Sequence, residues 1–156
     1  MNKNLDDCKK EILSDISRTI SFRLCSIGVD LGLFEDLSIN GPSSSEEIAF
    51  RKKYNERYVR EWLYGISKTG YIDFDRKTRK ASINDQYSEL FISEGGKNSF
   101  KGFFKVINNM MLPYEKLISS FKNGGGIKFE EYNSEFWKGL DLTGCSRYRS
   151  FLVPEW

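Results

Sequence analysis

Residues whose types and spacing could do chemistry occur in two places, a glycine triplet and a run of bases. In FKNGGGIKFEEYNSEFW (121–137), Gly124, Gly125 and Gly126 stand between Lys122 and Lys128, ahead of four aromatic residues set among acids. Glycines cradle phosphate when they follow a buried strand and open a helix whose amide N–H groups face the anion. Here the preceding residues, Phe100, Phe103, Phe104, Ile107, Met111, Tyr114, Ile118 and Phe121, have the spacing of one helix face. The triplet therefore reads as a helix C-terminal stop. The bases run from Arg51 to Lys80, where ten basic and four acidic residues give +6 in a chain of net charge +2. Arg57, Arg60 and Lys68 share the outward stripe of a predicted helix with Tyr64. Arg76, Lys77, Arg79 and Lys80 fall at the following turn, where contacts to nucleic-acid phosphates would be made. The same charges suit a solvated face, with Arg57 and Glu61 at the i, i+4 pairing distance.

Other chemistries are removed by what the chain lacks. It has no histidine, so Ser-His-Asp and Cys-His systems and most zinc-water mechanisms cannot be assembled from its own side chains. Cys8, Cys25 and Cys145 are odd in number and widely spaced, without a C-x-x-C pair, and read as reduced structural thiols. No apolar run approaches the roughly 18 residues that span a membrane, and MNKNLDDCKK lacks the apolar core of a signal peptide; the expected address is the cytoplasm. Apolar residues at 39% and aromatics at 15% argue for a packed core, and 29% charged residues with 3 prolines argue for a helical one.

Apolar periodicity supplies the elements. Leu5, Cys8, Ile12 and Ile16, then Ile20, Leu24, Ile27, Leu31 and Phe34, mark a long N-terminal helical region stopped at Gly32, one helix or two, since Gly28 weakens its last turns. Ser44 and Glu47 have capping-box spacing ahead of a short helix to about Lys53. Asn55 caps a second helix with Val59, Trp62, Leu63 and Ile66 inward, ending at Gly70. YIDFDRKTRKASIND then alternates, turns and resumes as a hairpin does. Helix, short helix, helix, hairpin is the order of a winged helix-turn-helix, placed at about residues 15–85. The expected fold is mainly α with a small β-hairpin, divided into a winged-helix region over 1–90 and a helical extension over 91–156. In the extension, a long helix bent at Pro113 precedes the glycines, and SEFWKGLDL forms the next helix.

Three blocks, ERYVREWLYGISKTGYIDFD (56–75), FKNGGGIKFEEYNSEFW and LVPEW (152–156), resemble in order and spacing the N-terminal region of class I S-adenosylmethionine-dependent methyltransferases with a winged-helix amino-terminal domain. The resemblance spans about Leu24 to Trp156. It implies a module that dimerises and covers a substrate pocket, with the cofactor held by a following Rossmann-like domain. No spaced-glycine loop after a buried strand is present for adenosyl binding, so the chain is expected to bind no cofactor and to perform no catalysis alone. S-adenosylmethionine is implied for the complete enzyme.

By the same resemblance, GGGIKFEEY is a connector beside a substrate pocket. Met110, Met111, Tyr132, Phe136 and Trp137 then have two readings: they line a pocket for an apolar methyl acceptor, or they fill space between helices. The expected partners are a second copy of the chain and a separately encoded Rossmann-like domain, with nucleic acid bound weakly and without sequence preference, and no membrane. The rival reading is a free-standing winged-helix DNA-binding regulator, for which Arg57, Arg60, Lys68, Arg76, Lys77, Arg79 and Lys80 would make the contacts. Residues after about Arg147 are expected to pack as a terminal helix, with Trp156 frayed.

Overall fold

The computed structural model describes residues 3–93 and 98–151, which fall into two units, Met1–Asn84 and Asp85–Trp156. In the first unit, α1 (Leu5–Asp30) begins at Asn4, whose Oδ1 accepts from the Asp7 N–H at 2.9 Å. The helix runs unbroken through Gly28, contrary to the weakening its glycine suggested. A Cβ at Gly28 would lie 2.5 Å from Trp62 Cζ2 and 2.6 Å from Phe34 Cε2. Glycine is needed there for close approach, and the packing it permits outweighs a propensity loss of about 1 kcal/mol.

Gly32, at φ 64, stops α1 as expected and turns the chain into α2 (Leu33–Asn40), a helix the periodicity did not resolve. Phe34, which extends the α1 apolar series in sequence, belongs instead to α2, where Leu33, Phe34 and Leu37 are each 1% exposed. Helix α3 (Ser45–Lys52) carries the expected capping box: the Glu47 N–H donates to Ser44 Oγ at 3.3 Å, and the Ser44 N–H donates to Glu47 Oε2 at 2.7 Å. Helix α4 (Glu56–Ile66) buries the four predicted residues, Val59, Trp62, Leu63 and Ile66, and a 3₁₀ turn, Ser67–Thr69, leads to Gly70 at φ 79. Asn55 precedes α4 but makes no side-chain cap bond.

Strands β1 (Ile72–Asp75) and β2 (Lys80–Ile83) pair antiparallel with Ile72 opposite Ile83 and Phe74 opposite Ala81, and β2 also exchanges two 2.9 Å backbone bonds with Ser43. Together these elements make a winged helix-turn-helix in a mainly α chain. Two polar ties lock the helices. The Trp62 indole N–H donates to the Leu24 carbonyl at 2.8 Å, and the Arg51 guanidinium grips the buried Asp36 carboxylate and the Ser43 hydroxyl. The guanidinium pairing satisfies a charge that would otherwise oppose burial.

The second unit contains α5 (Asp85–Ile92), α6 (Lys101–Met110), α7 (Tyr114–Asn123) and α8 (Ser134–Phe151). Pro113 breaks the expected long helix rather than bending it: α6 ends at Met110, and Pro113 stands at the N-cap of α7. Proline brings no N–H and clashes with the turn before it, so the ladder restarts one turn later. Gly124 ends α7 as expected, its N–H bonded to the Ser120 carbonyl at 2.9 Å, and all three glycines have positive φ.

Helices α6 and α8 cross so closely that a Cβ at Gly102 would meet the Thr143 N at 2.7 Å, and one at Gly139 would meet the Val106 N at 2.7 Å. The residues after Arg147 do not begin a separate helix, because α8 continues to Phe151. The expectation for Trp156 lies outside the described residues. Among the described residues, no helix is long and apolar enough to cross a membrane.

Candidate functional site

Three surfaces could carry function, two in the first unit and one in the second. The C-terminal turn of α4 and the hairpin enclose a groove of about 640 Å³ lined by Tyr64, Lys68, Asp73, Phe74, Arg76 and Arg79, with Ser67, Gly70 and Ile72. Three of the seven predicted nucleic-acid contacts, Lys68, Arg76 and Arg79, are thus brought together. The other four are not. Arg60 pairs with Glu56 at 3.1 Å along α4, Lys80 pairs with Glu47 at 2.9 Å, and Arg57 and Lys77 are exposed outside the groove lining. The i, i+4 pair on α4 is therefore Glu56 with Arg60 rather than Arg57 with Glu61, in keeping with the better geometry of an acid N-terminal to its base.

The turn itself is organised by Asp75, which accepts from the Lys77 N–H and the Thr78 hydroxyl, both at 2.8 Å. Those bonds hold its carboxyl below the usual range. The Lys80 ammonium does the same to Glu47, which is also bonded by the Ser44 amide.

A second surface is apolar. Leu24, Ile27, Leu31, Leu33, Tyr54, Tyr58, Val59 and Trp62, with Asn55 and Glu61, line a groove of about 390 Å³ between α1 and α4. It continues along α1, where Leu5, Ile12, Leu13, Ile16 and Ile20 are all more than half exposed. The apolar stripe read from the sequence is present, but most of it faces away from the core of this chain. Cys25 points the other way and is 1% exposed; burial pushes its thiol up to about 12, which makes it the inert structural thiol expected.

In the second unit, the predicted pocket aromatics do meet. Tyr132 stacks on Phe136 at 4.4 Å between centroids, Phe136 meets Trp137 edge-on at 5.3 Å, and Phe129, not singled out from sequence, stacks on Trp137 at 5.5 Å. The spacing of Phe129 within the aromatic stretch was the available signal. Asn133 Nδ2 donates to Asn109 Oδ1 at 2.7 Å, fastening this cluster beside the end of α6, where Met110 and Met111 are half exposed. Lys105 and Lys138 clamp Glu135 below the cluster and hold its carboxyl down to about 2, chiefly through the Lys105 hydrogen bond of 2.8 Å. Phe136 is 9% exposed and Trp137 39%, so the first closes the packing and the second offers a face. Among the described residues, no group of three His, Cys, Asp or Glu side chains could hold a metal ion.

The order of helices and wing now has a counterpart among known proteins. Residues 20–92 match the Rv2258c-like winged HTH domain family. No curated protein matches the sequence. Among solved structures, the winged HTH domain and its helical extension together are similar to the mitomycin 7-O-methyltransferase MmcR, with 16% identity and a TM-score of 0.69 over 91% of this chain and 44% of that one. PigF with SAH gives 12% identity and a TM-score of 0.71 over 94% and 49%. The N,N-8-amino-8-demethyl-D-riboflavin dimethyltransferase RosA from Streptomyces davawensis gives 12% and 0.69 over 96% and 45%. At these identities the likeness is one of fold, and this chain spans less than half the length of each of the three.

Proposed function

We propose that the chain is the dimerising and substrate-covering module of an S-adenosylmethionine-dependent methyltransferase. The observation that carries this reading is the fold match running through nearly all of this chain, wing and helical extension alike, against under half of each methyltransferase. A winged helix used only to read DNA would not be expected to share the α6–α8 extension as well.

In this reading α1 is the dimerisation helix. About 39 Å long at 1.5 Å per residue, it presents Ile12, Ile16 and Ile20 to solvent in a single chain, and apolar area of that kind is stabilised by a symmetric partner. The aromatic cluster with Met110 and Met111 forms one wall of the methyl-acceptor pocket, because ring faces and flexible thioethers adapt to an apolar substrate.

S-adenosylmethionine itself does not fit the residues described here. Their sheet is a two-stranded hairpin, whereas adenosyl binding of the Rossmann type uses a glycine turn between a buried parallel strand and a helix N-terminus. The cofactor, and with it the methyl group, would be held by a separate domain, and this chain would contribute apolar walls, water exclusion and dimerisation.

Sedimentation equilibrium tests the reading. The chain is expected to be dimeric at about 10 μM, the range of a moderate interface, and Ile16→Lys with Ile20→Lys is expected to make it monomeric without loss of helix signal. A wild-type monomer at every concentration would overturn the dimerisation role. A second reading, a regulator that binds nucleic acid, is favoured by the basic groove beside the wing.

A further inference from the structure

We propose that the groove between the C-terminal turn of α4 and the wing binds a nucleotide unit, its phosphate held by Lys68, Arg76 and Arg79 and its base laid against Tyr64. The proposal does not rest on the methyltransferase reading; it deepens the second reading by naming the unit bound and the side chains that hold it, in a groove that lies wholly within residues 64–79.

Charge supports it first. Three bases of this region are neutralised close at hand, Arg51 by Asp36, Arg60 by Glu56 and Lys80 by Glu47, whereas Arg57 and Lys77 stand apart on the exposed surface. Lys68, Arg76 and Arg79 converge on the groove with no ion pair among the described residues, against one lining acid, Asp73, while Glu46 feels the Arg79 charge without bonding it. Two guanidinium forks and an ammonium in one concavity match the tetrahedral oxygens of a phosphate better than a single carboxylate, and a groove holds field lines that a flat face would lose to water.

Shape supports it second. Tyr64 is 39% exposed, and its ring is braced edge-on against Phe74 at 5.3 Å and 79°. A braced aromatic face beside cations is the arrangement on which bases stack irrespective of sequence. The volume of about 640 Å³ falls in the range of small-molecule sites and suits one nucleotide.

The backbone supports it third. Arg79 sits at φ 56, in the left-handed region where glycine would be unstrained. The last loop position before β2 nonetheless carries a guanidinium, and that side chain lines the groove. Free nucleotide and nucleic-acid strand share this chemistry, and the experiment separates them.

Fluorescence anisotropy with a labelled hexathymidylate, and thymidine monophosphate as competitor, tests the proposal at low salt. Saturable binding is expected, with Arg76→Ala and Arg79→Gly each weakening it by about tenfold or more, the loss that goes with one charge-assisted bond. The slope of affinity against salt is expected to fall by about one unit for each phosphate contact removed. Arg57→Ala, on α4 outside the groove, is expected to leave affinity within about twofold.

Arg79→Gly guards against misfolding, because it relieves the backbone and is expected not to lower the melting temperature while still losing the ligand. Competition by the monophosphate, with the same variant pattern, assigns a free nucleotide; groove-dependent binding of the strand alone assigns nucleic acid. Absence of binding by both probes at about 1 mM, or an Arg57→Ala loss as large as that of Arg79→Gly, overturns the proposal in favour of a diffuse basic surface.

Discussion

Replacing Gly102 by alanine is expected to force α6 away from α8 and to destabilise the second unit, although alanine is the better helix former. The new Cβ would stand 2.5 Å from Thr143 Oγ1, 2.7 Å from the Thr143 N and 2.9 Å from the Gly139 carbonyl oxygen. Two of those atoms are backbone, and the third is pinned by the 2.8 Å bond that the Thr143 hydroxyl donates to Gly139. None can swing aside, so the cost belongs at the upper end of the range for overpacking, about 3 kcal/mol. Helix propensity returns about 1 kcal/mol, leaving a net loss of about 2 kcal/mol.

Gly144, on the same α8 helix, is the control. Its added Cβ would meet only Tyr148 Cε2, at 3.9 Å, an ordinary contact, so the propensity gain stands alone and Gly144→Ala is expected to stabilise by about 0.5–1 kcal/mol. Urea unfolding followed by far-ultraviolet circular dichroism reads both variants. With a slope of about 2 kcal/mol per molar urea, the midpoint is expected to fall by about 1 M for Gly102→Ala and to rise by about 0.3–0.5 M for Gly144→Ala. Gly139→Ala strikes the same crossing, so its loss is expected to add to that of Gly102→Ala by less than the sum, the second alanine entering space the first has opened. A Gly102→Ala protein as stable as the parent, or a Gly144→Ala protein destabilised to the same degree, would show that the crossing is not set by glycine contact. The crossing also bears on the Asn109–Asn133 bond that fastens the aromatic cluster beside the end of α6.

Three further outcomes follow from the same geometry. Arg51→Leu is expected to destabilise the winged helix by about 2–3 kcal/mol, discounted for the partial exposure of Arg51, since it leaves the buried Asp36 carboxylate unpaired; a loss below about 1 kcal/mol in urea unfolding would contradict this. Glu135 has a folded pKa of about 2 against 4.5 for the free group, so the stability it contributes is present above about pH 4.5 and lost as pH falls towards 2. Melting curves of wild type and Glu135→Gln are expected to converge over that interval, and parallel curves would refute the linkage. Cys25, buried and with its thiol raised to about 12, is expected to stay unalkylated by iodoacetamide at pH 8 until denaturant is added, as peptide mass spectrometry would record; modification in the native chain would refute its burial.

Sequence by itself determined the elements whose signals are local. The capping box at Ser44 and Glu47, the inward face of Val59, Trp62, Leu63 and Ile66, the stops at Gly32, Gly70 and Gly124, and the alternation of the wing all depend on residues within a turn or two of each other. Periodicity also marked α1 as an apolar stripe and the 121–137 stretch as an aromatic group with a glycine stop. Local signals failed where two answers share one pattern. Phe34 is in phase with α1 and with α2, and only the left-handed turn at Gly32 decides between them. Pro113 could bend or break a helix, and in the structure α6 ends at Met110 and α7 starts afresh at Tyr114.

Tertiary structure alone decided which side chains meet and which remain available. Asp36 and Arg51 are fifteen residues apart, and nothing in their spacing announces a buried pair. The basic run looked uniform in sequence, yet ion pairs withdraw Arg51, Arg60 and Lys80 while the path of the wing gathers Lys68, Arg76 and Arg79 into one groove. The direction of the α1 stripe was likewise undetermined, because periodicity reports that a helix has an apolar face and not what covers it; here the core takes Cys25, Ser26, Gly28 and Val29 and leaves the isoleucines to solvent. The physical reason is the same in each case. Capping, turn formation and periodicity are energies of neighbours along the chain, whereas pairing, groove formation and burial are energies of neighbours in space, and only folding brings those neighbours together.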